Sequence, residues 1–402
     1  MKTRIVGICA LALVAGCGGG GSGGGSGETP SKYLYVDATY GPNTFPAFTY
    51  GFVVNSGATL SPIPGFTRIA EGQYGGAPLV VTRDSKLLCA GFGDPFGSIS
   101  AYLIKTDGTL TAAPSPSFQP ADGAVGLAIH PTANFLYASS GVGDLYVLAI
   151  DSTTGALKLT SSETLAGSNL VIENSAVITP DGRYLYQSYA YPYGSTQPNL
   201  QLRVAGYSID ASTGALSAVP GSPAVTSLSA EDSAGPMAID PTGKFLYVGY
   251  LNEGVGGGVD AYLIDGTTGA LSSIPGAPFS VGDGVGPGSL AIDSSGKFLI
   301  VTLNQSAGSA PGNCLAVLAI NAGTGALSSV SGSPFAPATY CGPVIADPSE
   351  PTIYVGTGGV LTGPTTVDVL SVTQTTGALT PVSQITLPDN ELIGTTYMAL
   401  TH

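Results

Sequence analysis

Short apolar runs alternate with turn residues along nearly the whole chain. Phe245-Leu246-Tyr247-Val248, Phe298-Leu299-Ile300-Val301 and Tyr184-Leu185-Tyr186 each follow a Pro-Asp-Gly-like turn. The turns read Asp240-Pro241-Thr242-Gly243-Lys244, Ser295-Gly296-Lys297 and Pro180-Asp181-Gly182-Arg183, and relatives begin near Arg83, Pro131 and Pro348. Runs of this length between Gly, Asp and Pro predict strands rather than helices. A second turn recurs seven times. It reads Ser-Gly-Ala-Thr-Leu ending at Leu60 and Asp-Gly-Thr-Leu ending at Leu110. It then reads Thr-Gly-Ala-Leu ending at Leu157, Leu216, Leu271, Leu327 and Leu379.

The two signatures define a repeat of about fifty residues, the size of one four-stranded propeller blade. Strand A is small and apolar, as in Met237-Ala238-Ile239 or Leu290-Ala291-Ile292. The Phe-Leu-Tyr-Val run is strand B, Val259 to Ile264 is an example of strand C, and the Thr-Gly-Ala-Leu turn opens strand D. Lys32-Tyr33-Leu34-Tyr35-Val36 reads as a strand B lacking its strand A. Tyr397-Met398-Ala399-Leu400 reads as a strand A lacking its strand B. The C-terminal strand is therefore expected to complete the first blade, which removes an open sheet edge. The expected fold is all-β: a seven-bladed β-propeller over residues 32–402, with four antiparallel strands per blade.

Composition agrees. Gly occurs 59 times and Pro 30 times, charged residues make up only 9%, and Trp is absent. The formal charge of −14 disfavours nucleic acid and anionic membrane surfaces. Ahead of the repeats, Lys2 and Arg4 precede an apolar run from Ile5 to Ala15 that is too short to span a bilayer. Val14-Ala15-Gly16-Cys17 resembles a bacterial lipobox, which implies a signal peptide over 1–16 and lipidation at Cys17. No Asp follows Cys17, which by the same resemblance favours the outer membrane or the cell surface. Residues 17–31 hold a Gly/Ser-rich tether without the Lys-Ser/Thr ending of a phosphate loop. The expectation is an exported, lipid-anchored monomer that meets the membrane through its anchor alone.

The wording of the repeats resembles the lactonase-like seven-bladed propellers, the family that includes propeller-type 6-phosphogluconolactonase and YVTN-repeat proteins. The Phe-Leu-Tyr-Val strands, the Gly-Ala-Leu-Ser turns and trailing segments such as Pro275-Gly276-Ala277-Pro278-Phe279 and Ser331-Gly332-Ser333-Pro334-Phe335 carry the resemblance. In catalytic relatives, as the resemblance implies, the loop-face end of strand A often reads Gly-Pro-Arg-His. Here the positions of Arg-His are Gly235-Pro236, Gly288-Ser289, Gly342-Pro343, Val125-Gly126, Ala77-Pro78, Asn174-Ser175 and Thr396-Tyr397.

In such a meander the A–B and C–D turns share one face, and the longer B–C and D–A connections share the other. Variable loops on a rigid scaffold usually carry function. Most basic residues map to the short-turn face, leaving Arg68 and Arg203 on the loop face. That face also carries acids including Asp37, Glu71, Asp94, Asp122, Asp144, Glu173, Glu231, Asp232, Glu253 and Asp283. A rim of one sign selects neutral or cationic ligands, though acids also keep an exported protein soluble. Asn252-Glu253 and Asn304-Gln305 follow strand B where relatives often carry Asn and Glu. Tyr191, with Tyr189 and Tyr193, is placed either to stack on a ligand or to pack a long loop. His130 stands where other blades carry Asp240, Asp293 and Asp347, so it and those Asp residues read as turn residues, not ligands; His402 reads as structural too. No metal or cofactor motif is present. Cys314 and Cys341 map to the loop face of adjacent blades and are expected to form a disulfide, leaving Cys89 as a buried thiol.

The residues point first to a non-catalytic binding propeller on the cell envelope, its site on the acidic loop face. The alternative is a lactone hydrolase acting on a neutral lactone with Glu173 or Glu253 as base, or a 6-phosphogluconolactonase-like enzyme as the resemblance implies. A third reading is a structural lipoprotein with no small ligand.

Overall fold

In the computed structural model each Phe-Leu-Tyr-Val-like run is a strand, and every regular element among the described residues is β. The described residues are 32–402 apart from 41–46, 71–77, 92–97, 115–117, 121–123, 142, 166–175, 192–200, 230–232, 253–255, 282–284, 306–312, 338–339, 358–363 and 390–391. Seven antiparallel sheets follow one another along the chain. Blade 5 is typical: strand A is Ser233–Ile239, B is Phe245–Asn252, C is Gly256–Ile264 and D begins as Leu271–Ser273. Blade 1 is assembled from both ends of the fold. Its strand B, Lys32–Tyr40, pairs with strand C, Ala47–Val54, and with the C-terminal strand A, Leu392–Leu400, in the register Leu34↔Leu400. Each strand A touches the strand A of the next blade around a closed ring.

The repeated wording has a packing reason. Alternate residues of strand B face the blades on either side, and seven apolar clusters fill the ring, each built from neighbouring blades. At five junctions an aromatic residue at the start of strand B (its first residue, or in blade 1 its second) lies against a glycine in the C–D turn of the next blade. These are Tyr33 on Gly108, Phe135 on Gly214, Tyr184 on Gly269, Phe245 on Gly325 and Phe298 on Gly377. The glycine is needed twice over. It has positive φ, 74° at Gly214 for example, and a Cβ there would lie 2.6 Å from the Phe135 ring. Two residues further on, the tyrosine hydroxyl donates to the carbonyl of that glycine: Tyr35 to Gly108 at 2.8 Å, Tyr137 to Gly214 at 3.1 Å, Tyr186 to Gly269 at 2.8 Å and Tyr247 to Gly325 at 2.9 Å. Each bond satisfies a buried hydroxyl and stitches one blade to the next.

Two junctions depart from this rule. Between blades 7 and 1 the aromatic is Thr352 and the turn glycine is Ala58, with φ 57°. The smaller side chain accompanies the extra methyl, and the Ala58 carbonyl accepts from Ser383 Oγ at 3.1 Å. Tyr354 is left with a buried hydroxyl that has no partner among the described residues. Between blades 2 and 3 the turn keeps Gly155, but strand B offers Leu87 and Cys89 in place of the aromatic and the tyrosine.

The A–B turns are closed by side-chain caps. Asp240 accepts the backbone N–H groups of Thr242, Lys244 and Phe245, and Asp293 those of Ser295, Lys297 and Phe298. His130 caps the turn of blade 3 from within, its Nδ1 accepting from Thr132 N at 3.1 Å and Ala133 N at 2.8 Å, as Asp347 accepts from Ser349 N and Glu350 N in blade 7. Burial lowers the His130 pKa, which keeps the ring neutral and Nδ1 an acceptor.

The trailing Pro-Gly-Ser-Pro-Phe segments split strand D. In blade 5, Leu271–Ser273 ends, Gly276 turns at φ 91°, and Phe279–Ser280 returns to pair with strand C at Gly258 and Val259. Blades 3 and 7 lack the segment and keep strand D unbroken, Leu157–Thr164 and Leu379–Thr386.

Candidate functional site

Strand A lines the centre of the ring, so the loop-face ends of the A strands form the mouth of the central channel. In five blades the A–B pairing is irregular at that end. The breaks lie at Thr395–Tyr397, Ala124–Gly126, Ala234–Met237, Pro287–Ser289 and Cys341–Val344. Extra residues of this kind re-aim side chains and backbone groups, and they recur beside functional sites. They coincide with the strand-A positions that the resemblance marked. The ring of irregularities is therefore the geometric feature that this scaffold offers to a ligand.

The residues it presents are small or neutral. Pro236, Ser289, Gly342, Pro343, Thr396 and Tyr397 are half-buried there and Gly288 is exposed. Small residues in strand B let the A strands crowd in. A Cβ on Gly249 would lie 2.8 Å from Pro287 of the next blade, and one on Gly91 would lie 3.0 Å from Ala124. Hydroxyls tie the ring together. Ser188 Oγ donates to Gly235 O at 3.0 Å between blades 4 and 5, and Val344 N donates to Ser289 Oγ at 3.2 Å between blades 6 and 7.

One carboxylate reaches this ring by a route that the sequence did not reveal. Asp37 occupies the strand B position held by Ser139, Ser188 or Thr302 in other blades. It is completely buried and accepts a hydrogen bond from the Thr396 hydroxyl of strand A. The sequence reading set Asp37 on an open acidic rim, and the structure corrects this. The signal was available in the blade alignment, where Asp replaces a small residue at a strand position.

Both loop-face arginines are also committed. Arg68 pairs with Asp389 and lies over the Phe48 ring at 4.1 Å. Arg203 is in strand C of blade 4, Gln201–Ile209, opposite Tyr189, with its Nε shielded from solvent. Neither stands on the rim as an open anion receptor, although both were expected on the loop face. Asp144 accepts bonds from Tyr146 and Thr164 at 3.1 and 2.7 Å.

The remaining candidates fall as follows. Asn252, Asn304, Gln305 and Tyr191 belong to the ends of strand B rather than to loops, in register with Gly256, Gly286, Val285 and Gln201. The strands run further toward the loop face than the sequence reading placed them, because strands B and C continue to pair beyond the apolar run. Their side chains lie outside the described residues, as do Cys17, Glu173, Glu253 and the other rim acids Glu71, Asp94, Asp122, Glu231, Asp232 and Asp283. Tyr189 is buried in the core between blades 3 and 4, the packing role of the two open to it. Cys314 and Cys341 join blades 6 and 7 with a Cα separation of 5.4 Å. Among the described residues no cluster of His, Cys, Asp and Glu is arranged to hold a metal ion.

Seven blades of four strands or more, closed by pairing between the first and last strands, define a seven-bladed β-propeller. The sequence profile of the lactonase, seven-bladed β-propeller family matches residues 97–275 and 198–342, and the chain belongs to that family. No curated protein matches the chain in sequence. Among solved structures it is similar to a candidate 6-phosphogluconolactonase from Bacteroides fragilis, with 17% identity, TM-score 0.67, and coverage of 94% of this chain and 99% of that one. It is similar to the periplasmic gluconolactonase of Pseudomonas aeruginosa, with 15% identity, TM-score 0.65, and coverage of 92% and 99%. It also resembles Sqt1 of Chaetomium thermophilum, a propeller bound to the N-terminus of a ribosomal protein, with 16% identity, TM-score 0.55, and coverage of 89% and 88%. At these identities the likeness concerns the fold.

Proposed function

We propose that this protein is a lactone hydrolase of the bacterial cell envelope that opens an uncharged sugar lactone at the loop-face mouth of the channel. The observation that carries this reading is the composition of the strand-A ring. The chain belongs to the lactonase family, yet the irregular positions hold Gly, Pro, Ser, Thr and Tyr, and no cation among them could receive a phosphate. One structural neighbour is, by its name, both periplasmic and a gluconolactonase, which joins an exported location to an uncharged substrate.

In this reading water adds to the lactone carbonyl. Glu173 or Glu253 takes its proton, the ring C–O bond breaks, and the proton passes to the departing oxygen, giving a hydroxy acid. Asn252, Asn304 and Gln305 hydrogen-bond the sugar hydroxyls, and Tyr191 stacks on its apolar face. No cofactor takes part.

The test is a pH-stat assay on glucono-1,5-lactone and on 6-phosphogluconolactone. The expectation is turnover of the neutral lactone, falling about 100-fold or more in Glu173→Gln or Glu253→Gln. Turnover of the phosphorylated lactone in preference would overturn it.

The same Gly and Pro at the ring support a second reading, a non-catalytic propeller that binds a neutral or cationic small molecule or protein. It takes precedence if no lactone is turned over while ligands raise the melting temperature. Under either reading a monomer is anchored through a lipid on Cys17, at the outer membrane or the cell surface. Cys17→Ser should release it from membranes and abolish fatty-acid labelling, and unchanged retention and labelling would refute the anchor.

A further inference from the structure

The junction of blades 2 and 3 is the place where the aromatic–glycine pair loses its ring while the glycine stays. Leu87 lies where the other junctions carry Tyr or Phe, and a Cβ on Gly155 would be 2.6 Å from Leu87 Cδ1. Cys89 removes the phenol two residues on. A cleft of about 360 Å³ opens here on the short-turn face, opposite to the channel mouth. Leu87, Leu103, Ile129 and Ile150 form an aliphatic part of its wall, His130 and Asn134 also line it, and its rim carries Arg83 and Lys86.

The charges at the rim are unequally engaged. Two acids also line the cleft, but Asp84 is held by Lys86 Nζ at 3.2 Å and Thr82 Oγ1 at 2.8 Å. Asp151 accepts the N–H groups of Thr153 and Thr154 at 2.9 and 2.8 Å. Among the described residues no carboxylate pairs with Arg83. The Arg83 guanidinium, with no carboxylate in ion-pair range among the described residues, therefore stands at the edge of a cleft of mixed lining whose inner wall is aliphatic, while five of the other junctions are filled by aromatic rings.

We propose that this cleft binds a small aryl carboxylic acid, its ring against Leu87 and Ile150 and its carboxylate on Arg83. The ring supplies the surface that Tyr or Phe supplies elsewhere, and a planar carboxylate matches the guanidinium fork. The site is separate from the channel mouth and does not depend on lactone chemistry.

The test titrates 4-fluorophenylacetate into the full chain, followed by fluorine NMR and calorimetry, with 2-(4-fluorophenyl)ethanol as the uncharged counterpart. Saturable binding with a Kd on the order of 1 mM or tighter is expected for the acid. Arg83→Gln should weaken the acid about tenfold or more and leave the alcohol unchanged. Leu87→Phe restores a ring at the junction and should abolish binding of both probes. Asn134→Trp plugs the exposed rim without touching the core and should do the same. Absence of saturable binding would overturn the proposal. So would binding of the acid that survives Arg83→Gln, or binding that survives both Leu87→Phe and Asn134→Trp.

Discussion

The backbone N–H of Tyr33 donates to Thr401 Oγ1 at 2.7 Å, and Thr401 N returns a bond to Tyr33 O at 2.9 Å. Thr82 with Leu87 and Thr179 with Tyr184 form the same reciprocal pair inside continuous A–B turns, with Oγ1 accepting at 3.0 Å in each. The split blade thus rebuilds a turn cap between residues 368 positions apart. Lys32 reinforces it by reaching Asp347 of blade 7 at 2.8 Å.

Ring closure should therefore be sensitive to one hydroxyl. Thr401→Val keeps the shape but leaves the buried Tyr33 N–H without an acceptor, a cost of about 1–3 kcal/mol. The urea midpoint should fall at constant slope, by an amount similar to that in Thr179→Val. An unshifted midpoint in Thr401→Val would show that the cap does not hold the ring.

The tyrosine latches allow a paired comparison. Tyr247→Phe removes a buried bond to Gly325 and should cost about 1 kcal/mol. Tyr354→Phe removes a buried hydroxyl that has no partner among the described residues, so stability should stay within about 0.5 kcal/mol or rise. Equal losses in the two variants would mean that the Gly carbonyl bonds are not what the tyrosines contribute.

The cysteines divide by environment. Cys314 and Cys341 are both buried, and their Cα separation of 5.4 Å suits a disulfide. Closing a span of 27 residues should contribute about 3 kcal/mol on the chain-entropy model. Burial pushes the Cys89 thiol up to about 12, which leaves it unreactive in the folded protein. Alkylation of the folded protein without reductant should spare Cys89 and mark it only after denaturation. Peptide mapping should recover Cys314 and Cys341 linked, and their alkylation in non-reduced protein would refute the bond.

Strands and blades were legible because their determinants are local. Phe245-Leu246-Tyr247-Val248 is a short apolar run bounded by turn residues, and Gly325 sits in a turn whose wording repeats. The split of strand D was not legible, because Pro278 reads equally as a loop residue until Phe279 is seen to rejoin strand C. The contact of Asp37 with Thr396 joins positions 359 residues apart, and no local pattern announces it. The cleft at Leu87 is written as a departure from the other blades, visible only once each strand B is aligned with the turn that it meets. The loop-face candidates Glu173 and Glu253 lie in the segments where blades differ most in length and composition, so the repeat says nothing about their placement.

Two buried aspartates should respond to pH with opposite sign. Asp260 lies in strand C of blade 5, 2% exposed. Burial raises its pKa, and the bonds from Tyr262 Oη at 2.7 Å and Ala261 N at 3.0 Å only partly offset this. A carboxyl with a folded pKa above its unfolded value contributes stability below the unfolded pKa and loses it as pH rises through the folded pKa. Asp347 is the reverse. Burial raises its pKa, but the hydrogen bonds from Lys32 and Ser349 outweigh that and leave it lowered. Its contribution is present above the unfolded pKa and is lost as pH falls through the folded one. Between about pH 3 and pH 7, the stability of Asp260→Asn relative to the native chain should therefore rise, while that of Asp347→Asn should fall. Urea titrations of the three proteins across this range measure both slopes. A flat or falling difference for Asp260→Asn would mean that its carboxylate is better accommodated than its burial implies. A flat difference for Asp347→Asn would remove the ion pair with Lys32 from the interactions that hold blade 7 to blade 1.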